Sequence, residues 1–331
     1  MSSELPPRDF GQRLGVLTGA QLQTACDWLQ LGRVLAAEPA PSGLFGQNLF
    51  LTAESGEFVL RGCPHADWQL PKERRIARMI HEGTSVEAPW PYWVEPSRQT
   101  FGWAYAIMRR IPGVVDGAKS GQEHREVAAS MGSLLAELHE LAADRPAAYE
   151  LDCDDFVPFP MSHPERIALR VSELCQSIRE ARPEALRAED DEWIAAILEE
   201  ARPFLRDDFQ PRFVHHDFKP NNVLCRRGPH GWEAHGVVDL MEGYFGDPEE
   251  DLVRAIGSFA RVDRGLGPAF VEAYSARRPL RPGHAERYRV YRLVDTLVFW
   301  EFGQRNDLWF RPEQRFRAFA SGTLEAGNPF G

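Results

Sequence analysis

Apolar and polar positions follow two different periods along the chain, and the change of period divides it. Residues 48–53 and 58–61 alternate as strands do, and Glu54-Ser55-Gly56-Glu57 between them has turn chemistry, so a β-hairpin is predicted within 39–62. A strand-like run, 33–37, precedes it. Thr18 is placed to cap a helix carrying Leu22, Cys26 and Leu29 on one face. Residues 71–83 read as a helix with proline at its start and glycine at its end. Residues 103–113 form an apolar strand stopped by Pro112-Gly113. Beyond it the period becomes helical: 126–141 carries Val127, Met131, Leu134, Leu135 and Leu138 on one stripe. Further helices are predicted over 164–179, 190–204, 248–260, 268–276, 283–303 and 312–325. Two short strands, 223–225 and 234–238, interrupt them and are joined by a turn over 226–231.

The chain has 331 residues, enough for two lobes, each with its own core. No apolar run approaches the roughly 18–20 residues needed to span a bilayer, and the start, MSSELPPRDFGQRLG, has no apolar stretch of a secretory signal. Cys26, Cys63, Cys153, Cys175 and Cys225 are scattered without a CxxC pair, as reduced thiols of a cytoplasmic protein would be. The formal charge of −11 argues against a nucleic-acid partner. Acidity suits a cationic small molecule, and equally serves solubility alone.

The densest chemistry lies in "HHDFKPNNVLCRRGPHGWEAHGVVDL". Asp217 sits in a loop after the apolar pair Phe213-Val214, Asn222 sits at the start of a strand, and the hairpin returns the chain to Asp239. Two carboxylates and an amide oxygen therefore converge at one end of a hairpin. Such hard oxygen donors suit Mg²⁺ better than zinc and leave places for waters and phosphates.

This pattern, His215-x-Asp217 with Asn222 and then Asp239, resembles the catalytic loop and metal-binding aspartate of the protein-kinase-like superfamily. The following "FGDPEEDLVR" and the helix "LLAELHEL" look like those of the aminoglycoside phosphotransferases and related small-molecule kinases, including those acting on hygromycin. The resemblance implies an α+β, bilobal protein-kinase-like fold: a nucleotide-binding β-sheet N-lobe (1–108), a hinge (109–113), and a mainly helical C-lobe (114–331) with the catalytic loop and substrate site.

By the same resemblance, Asp217 is the base, His215 supports the loop, and Lys219 helps neutralise the transferred phosphoryl group. Asn222 and Asp239 hold Mg²⁺. Arg61, held by Glu73, grips the phosphates of ATP or GTP, and Ser42, Gly43, Gly46 and Asn48 belong to the loop over them. The Arg109 carbonyl and the Ile111 N–H read the base edge. The acceptor is a small molecule, with an aminoglycoside first, and a macrolide or a homoserine- or choline-like metabolite second. A nucleotide-binding pseudokinase, acting as sensor or scaffold, is the reading of another class. Asp154, Asp155, Glu242 and Glu301 are candidates for binding a cationic substrate.

The chain departs from the pattern in places. His216 replaces the usual small or basic residue, and Asp239-Leu240-Met241 lacks the Phe-Gly of protein kinases. Taken singly, Arg61 and Glu73 also read as a surface ion pair, and Ser42, Gly43 and Gly46 as an ordinary turn. His139, Phe299 and Phe302 read as core, His230 and His235 as solvated, and Glu249 and Glu250 as helix-capping groups.

Overall fold

A computed structural model describes residues 17–40, 47–62, 66, 68–115, 117–118, 120–311, 313–325 and 328–330. The chain divides into two units. The first runs through Pro112 and takes in Tyr149–Asp155 and Gly236–Met241, and the second holds the remainder. Among the described residues no helix is long and apolar enough to cross a membrane.

In the first unit, α1 (Gly19–Trp28) leads to β1 (Val34–Pro39), β2 (Gln47–Ala53) and β3 (Gly56–Gly62). Then come α2 (Gln69–Gly83), β4 (Tyr92–Glu95) and β5 (Tyr105–Arg109). Thr18 caps α1 in a capping box with Gln21, which satisfies backbone N–H groups that a helix start otherwise leaves open. The strands pair in the order β1-β2-β3-β5-β4, antiparallel at every step. The predicted hairpin is β2–β3, with Asn48 opposite Arg61 and Phe50 opposite Val59. Its inward residues Leu49, Leu51, Phe58 and Leu60 join Leu22, Cys26 and Ile107 in one core. Strand β4 was not expected, because it lies in the proline-dense stretch "PWPYWVEP". It sits at the sheet edge, where a proline costs no ladder bond.

The chain continues with α3 (Gly121–Leu138), β6 (Ala147–Glu150), β7 (Asp155–Pro158), α4 (His163–Ala181), α5 (Ala188–Ala201) and β8 (Arg212–Val214), mostly in the second unit. After these come β9 (Val223–Gly228), β10 (Gly231–Val237), β11 (Tyr244–Gly246), α6 (Leu252–Ala260), α7 (Leu266–Arg277), α8 (His284–Asn306) and α9 (Phe316–Glu325). Strands β9 and β10 form the second predicted hairpin, and β7-β6-β11-β8 form a small sheet that single-sequence periodicity did not reveal, since its strands have only three or four residues each. Helix α3 starts earlier than predicted, because Ser120 and Glu123 make a capping box inside a polar run. Its stripe of Leu134, Leu135 and Leu138 is core as expected. A side chain at Gly132 would have its Cβ 2.2 Å from the Phe270 carbonyl oxygen, so glycine is what lets α3 and α7 pack closely.

Four expectations are corrected here. The predicted helix over 248–260 is broken: Pro248–Asp251 is a 3₁₀ turn and the α-helix starts at Leu252. Asp247 does cap that turn, accepting from Glu249 N–H at 3.1 Å. Glu249 and Glu250 do not cap; Glu249 pairs with Arg287 at 2.7 Å and Glu250 with Arg166 at 2.6 Å. His235 is buried, not solvated, whereas His230 is exposed. Phe299 and Phe302 are half-buried and lie against Trp309, while the neighbouring Trp300 is the residue fully buried in the core.

Candidate active site

In the first unit the chemistry gathers on Arg61. Strand β3 carries it, with Asn48 opposite on β2, and α2 presents Glu73 from its buried face. Arg61 Nη2 donates to Glu73 Oε1 at 2.9 Å and to Asp239 Oδ1 at 3.1 Å. Glu73 also accepts from Gln69 Nε2 at 3.0 Å and from the Tyr92 hydroxyl at 2.8 Å. Its side chain is 4% exposed, so this is a buried pair and not the solvated one that surface positions allow. Burial alone would lower Arg61, but Glu73 and Asp239 carry it above its ordinary value. Burial pushes the Glu73 carboxyl up, and Arg61, Gln69 and Tyr92 pull it back. Asp239 follows β10 with a left-handed φ of 64°, a conformation uncommon for residues other than glycine.

Ile111, after β5, is buried, and its backbone N–H donates to no group among the described residues. Arg109 is exposed and its N–H donates to the Pro91 carbonyl at 3.1 Å. Asn48 Oδ1 is buried without a hydrogen bond among the described residues. Ser42, Gly43 and Gly46 lie outside the described residues.

In the second unit the chemistry gathers on Asp217. The loop after β8 is held from below by Asp251, whose carboxylate accepts the backbone N–H groups of His215 and His216, each at 2.6 Å. Asp251 also meets His139 Nε2 at 3.2 Å, and His139 Nδ1 meets the Tyr274 hydroxyl at 2.9 Å, so His139 is the satisfied core histidine expected. Burial lowers His139 against the pull of Asp251. This leaves it neutral and fixes Nε2 as the donor. His216 takes a left-handed φ of 65° and lies edge-on to Tyr244. Burial and then Arg254 lower its pKa to about 4, with Glu242 opposing, so it is uncharged near neutral pH. The turn at His216 aims Asp217, whose N–H donates to His215 Nδ1 at 3.3 Å.

The Asp217 carboxylate has three donors. Lys219 Nζ and Asn222 Nδ2 each lie 2.8 Å from Oδ2, and Arg254 Nη1 lies 2.5 Å from Oδ1. Burial alone would raise Asp217, but Arg254 and Lys219 bring it below the usual carboxylate value. Arg254 in turn donates to Asp295 at 2.7 Å, and Arg292 donates to the other Asp295 oxygen at 2.9 Å. The sequence reading missed both Asp251 and Arg254. The available signal was charge on an apolar helix face: Asp251 and Arg254 flank Leu252 and Val253 in "EEDLVRAI".

A divalent cation would find suitable donors in each unit. Asn222 spends both amide hydrogens on Asp217, so its Oδ1 accepts no hydrogen bond among the described residues. Asp239 is 37% exposed, and its Oδ2 is likewise without a bond among them. No cluster of three or more His, Cys, Asp or Glu ligands occurs among the described residues. The few hard oxygens fit Mg²⁺, which keeps waters and binds substrate phosphates, better than a metal needing a full protein cage.

The acidic substrate candidates are mostly engaged elsewhere. In the first unit Asp154 pairs with Arg74 at 2.8 Å and Asp155 with Arg75 at 2.9 Å. In the second, Glu301 is buried, accepts from Ser177 Oγ at 2.7 Å and pairs with Arg305, whereas Glu242 is exposed.

An antiparallel-sheet unit followed along the chain by a mainly helical one is a protein-kinase-like architecture. The phosphotransferase enzyme family profile matches residues 36–290, and the chain belongs to that family. A homoserine kinase of Janthinobacterium sp. (strain Marseille) is 28% identical over 139 residues, 40% of this chain and 42% of that protein. The chain therefore spans about two fifths of the length of this curated relative. Among solved structures, a candidate fructosamine-3-kinase from Thermobifida fusca YX-ER1 matches with a TM-score of 0.66 at 17% identity, covering 94% of this chain and 99% of that one. A thermostable mutant of aminoglycoside phosphotransferase APH(4)-Ia, in ternary complex with ADP and hygromycin B, matches with a TM-score of 0.62 at 17% identity, over 94% and 99% of the chains.

Proposed function

We propose that this phosphotransferase moves the γ-phosphoryl group of ATP or GTP to a hydroxyl of a small molecule. The observation that carries this reading is the Asp217 carboxylate, ionised and fixed by Lys219, Asn222 and Arg254 on a loop that Asp251 anchors. The acceptor oxygen forms a bond to the γ-phosphorus, the bond from that phosphorus to the β–γ bridging oxygen breaks, and the hydroxyl proton passes to Asp217. A carboxylate this acidic is a weak base for an alcohol. It suffices because the transition state is loose and the proton leaves late, so orientation counts for more than basicity.

Arg61 is assigned to the nucleotide phosphates, with Glu73 holding it, and the Ile111 N–H and Arg109 carbonyl to the base edge. Residues 109–113 are the assigned hinge. Asn222 and Asp239 are the oxygen donors assigned to Mg²⁺, which when bound neutralises phosphate charge. Lys219 is assigned to the phosphoryl oxygens.

An aminoglycoside acceptor is supported by the likeness to APH(4)-Ia and by the negative charge of the chain. The homoserine kinase relative supports a smaller hydroxylated metabolite, and the engagement of Asp154, Asp155 and Glu301 in their own ion pairs favours this second class. Purified protein incubated with Mg²⁺, ATP or GTP and a panel of aminoglycosides, macrolides and hydroxylated metabolites should yield a product heavier by one phosphoryl group. A panel without any such product would support the nucleotide-binding sensor instead.

A further inference from the structure

Behind Asp217 the second unit holds a cavity of about 560 Å³ between α6, α8 and α9. Its size is that of a small-molecule site. Four aromatic side chains line it: Phe299, Trp309, Phe310 and Phe319. The charged residues of its wall are Arg261 and Arg292, and among the described lining residues there is no Asp or Glu. A site built for a protonated amine would show the opposite choice.

The two arginines are not equivalent. Arg292 is 6% exposed. Its Nη1 donates to Asp295 and its Nε to the Thr323 carbonyl, leaving Nη2 with no hydrogen bond among the described residues. A buried guanidinium with an open donor beside a cavity is suited to an anion. Arg261 is exposed and joins no ion pair among the described residues. Of the two arginines in the wall, Arg292 is paired with Asp295 behind it, so Arg261 leaves the wall positive. Arg292 in the cavity wall is linked to the reaction centre through ion pairs, although neither Asp217 nor Arg254 lines the cavity. Arg254 lies over the Phe299 ring at 5.4 Å, and the chain Asp217–Arg254–Asp295–Arg292 is continuous through contacts of 2.5, 2.7 and 2.9 Å.

We propose that this cavity binds an organic anion: a carboxylate on an apolar or aromatic body. The ligand class rests on the cavity wall and not on the phosphotransferase reading. The carboxylate meets Arg292 Nη2 and Arg261, and the apolar body lies among the aromatic rings.

The test is calorimetric titration of the full-length protein with three compounds that share a phenyl group and a hydroxyl: phenyllactate (anionic), its neutral diol counterpart, and phenylalaninol (cationic). Hygromycin B is a fourth arm. Phenyllactate should bind about tenfold or more tightly than the other two, a difference of the size one good charged contact supplies. Arg261→Ala and Arg292→Lys should each reduce that preference about fivefold or more. The exposed Arg261 keeps the test valid where Arg292→Lys disturbs folding, which a thermal melt will report. Equal or reversed preference, tighter binding of hygromycin B, indifference to both substitutions, or no saturable binding of the anion would overturn the proposal. Failure of the product-mass panel, with the anion preference intact, would count against the phosphotransferase reading and leave the cavity's ligand class standing.

Discussion

Replacing Arg254 by Gln removes one of the two cations on the Asp217 carboxylate and leaves a shorter, neutral polar side chain. Two unit charges about 4 Å apart attract by about 1 kcal/mol in water and about 4 kcal/mol at an effective dielectric of about 20. Asp217 is 12% exposed and Arg254 19%, nearer the second limit, but Lys219 and Asn222 remain on the other oxygen. A loss of about 1–3 kcal/mol of transition-state positioning follows, or about 5- to 150-fold in kcat/KM. The pH dependence gives the sharper signature. Asp217 is held below the usual carboxylate value, so its ionised form is favoured in the folded protein. Its contribution to stability is present above its unfolded pKa and is lost as the pH falls through the folded value. Without Arg254 the folded value rises. The acid limb of kcat/KM and the onset of acid unfolding should both move toward neutral pH. Arg254→Lys retains one charge and should restore the acid limb while leaving kcat reduced, because one ammonium cannot serve Asp217 and Asp295 together. The assay is kcat/KM against pH for wild type and both variants, with nucleotide binding measured alongside. An unchanged acid limb in Arg254→Gln would show that Arg254 does not set the ionisation of Asp217.

Glu73→Gln should raise the nucleotide KM about tenfold or more, since a hydrogen bond to a charged group contributes about 1.5–3 kcal/mol and Arg61 is then shared only with Asp239; steady-state kinetics at varied ATP checks this. Asp239→Ala should abolish Mg²⁺-dependent turnover, a loss of about 3–4 kcal/mol or more, read as product formed across a Mg²⁺ titration. Asp251→Ala strands the N–H groups of His215 and His216 and should destabilise the protein by about 2–5 kcal/mol in denaturant unfolding, with activity falling in the fraction that stays folded.

The sequence was most legible where local chemistry decides structure. The β2–β3 hairpin followed from alternation and the Glu54–Glu57 turn, and the Thr18 cap from its side chain and the apolar stripe beyond it. The order His215, Asp217, Asn222, Asp239 suggested a candidate site because it resembles the catalytic loop of kinase-like proteins. What stayed hidden depends on distant residues. The strands of the small sheet are too short to show a period, and β11 reaches β8 and β6 from far along the chain. Asp251 and Arg254 look like the polar face of an amphipathic helix until the loop carrying Asp217 is laid upon them. The pairing of Asp154, Asp155 and Glu301 was hidden for a related reason: a carboxylate in sequence shows its charge but not the arginine that neutralises it, and Arg74, Arg75 and Arg305 lie on helices whose register the sequence left open.

The central claim is that Asp217 orients and deprotonates the acceptor hydroxyl. Once an acceptor is in hand from the product-mass panel, the direct measurement is single-turnover transfer of labelled γ-phosphate to it by wild type and Asp217→Asn, with nucleotide affinity determined on the same samples. The asparagine keeps the shape of the side chain and removes its charge. The account predicts that transfer falls by about 100-fold or more while nucleotide affinity stays within about threefold. Transfer at the wild-type rate by Asp217→Asn, with nucleotide bound normally, would contradict it.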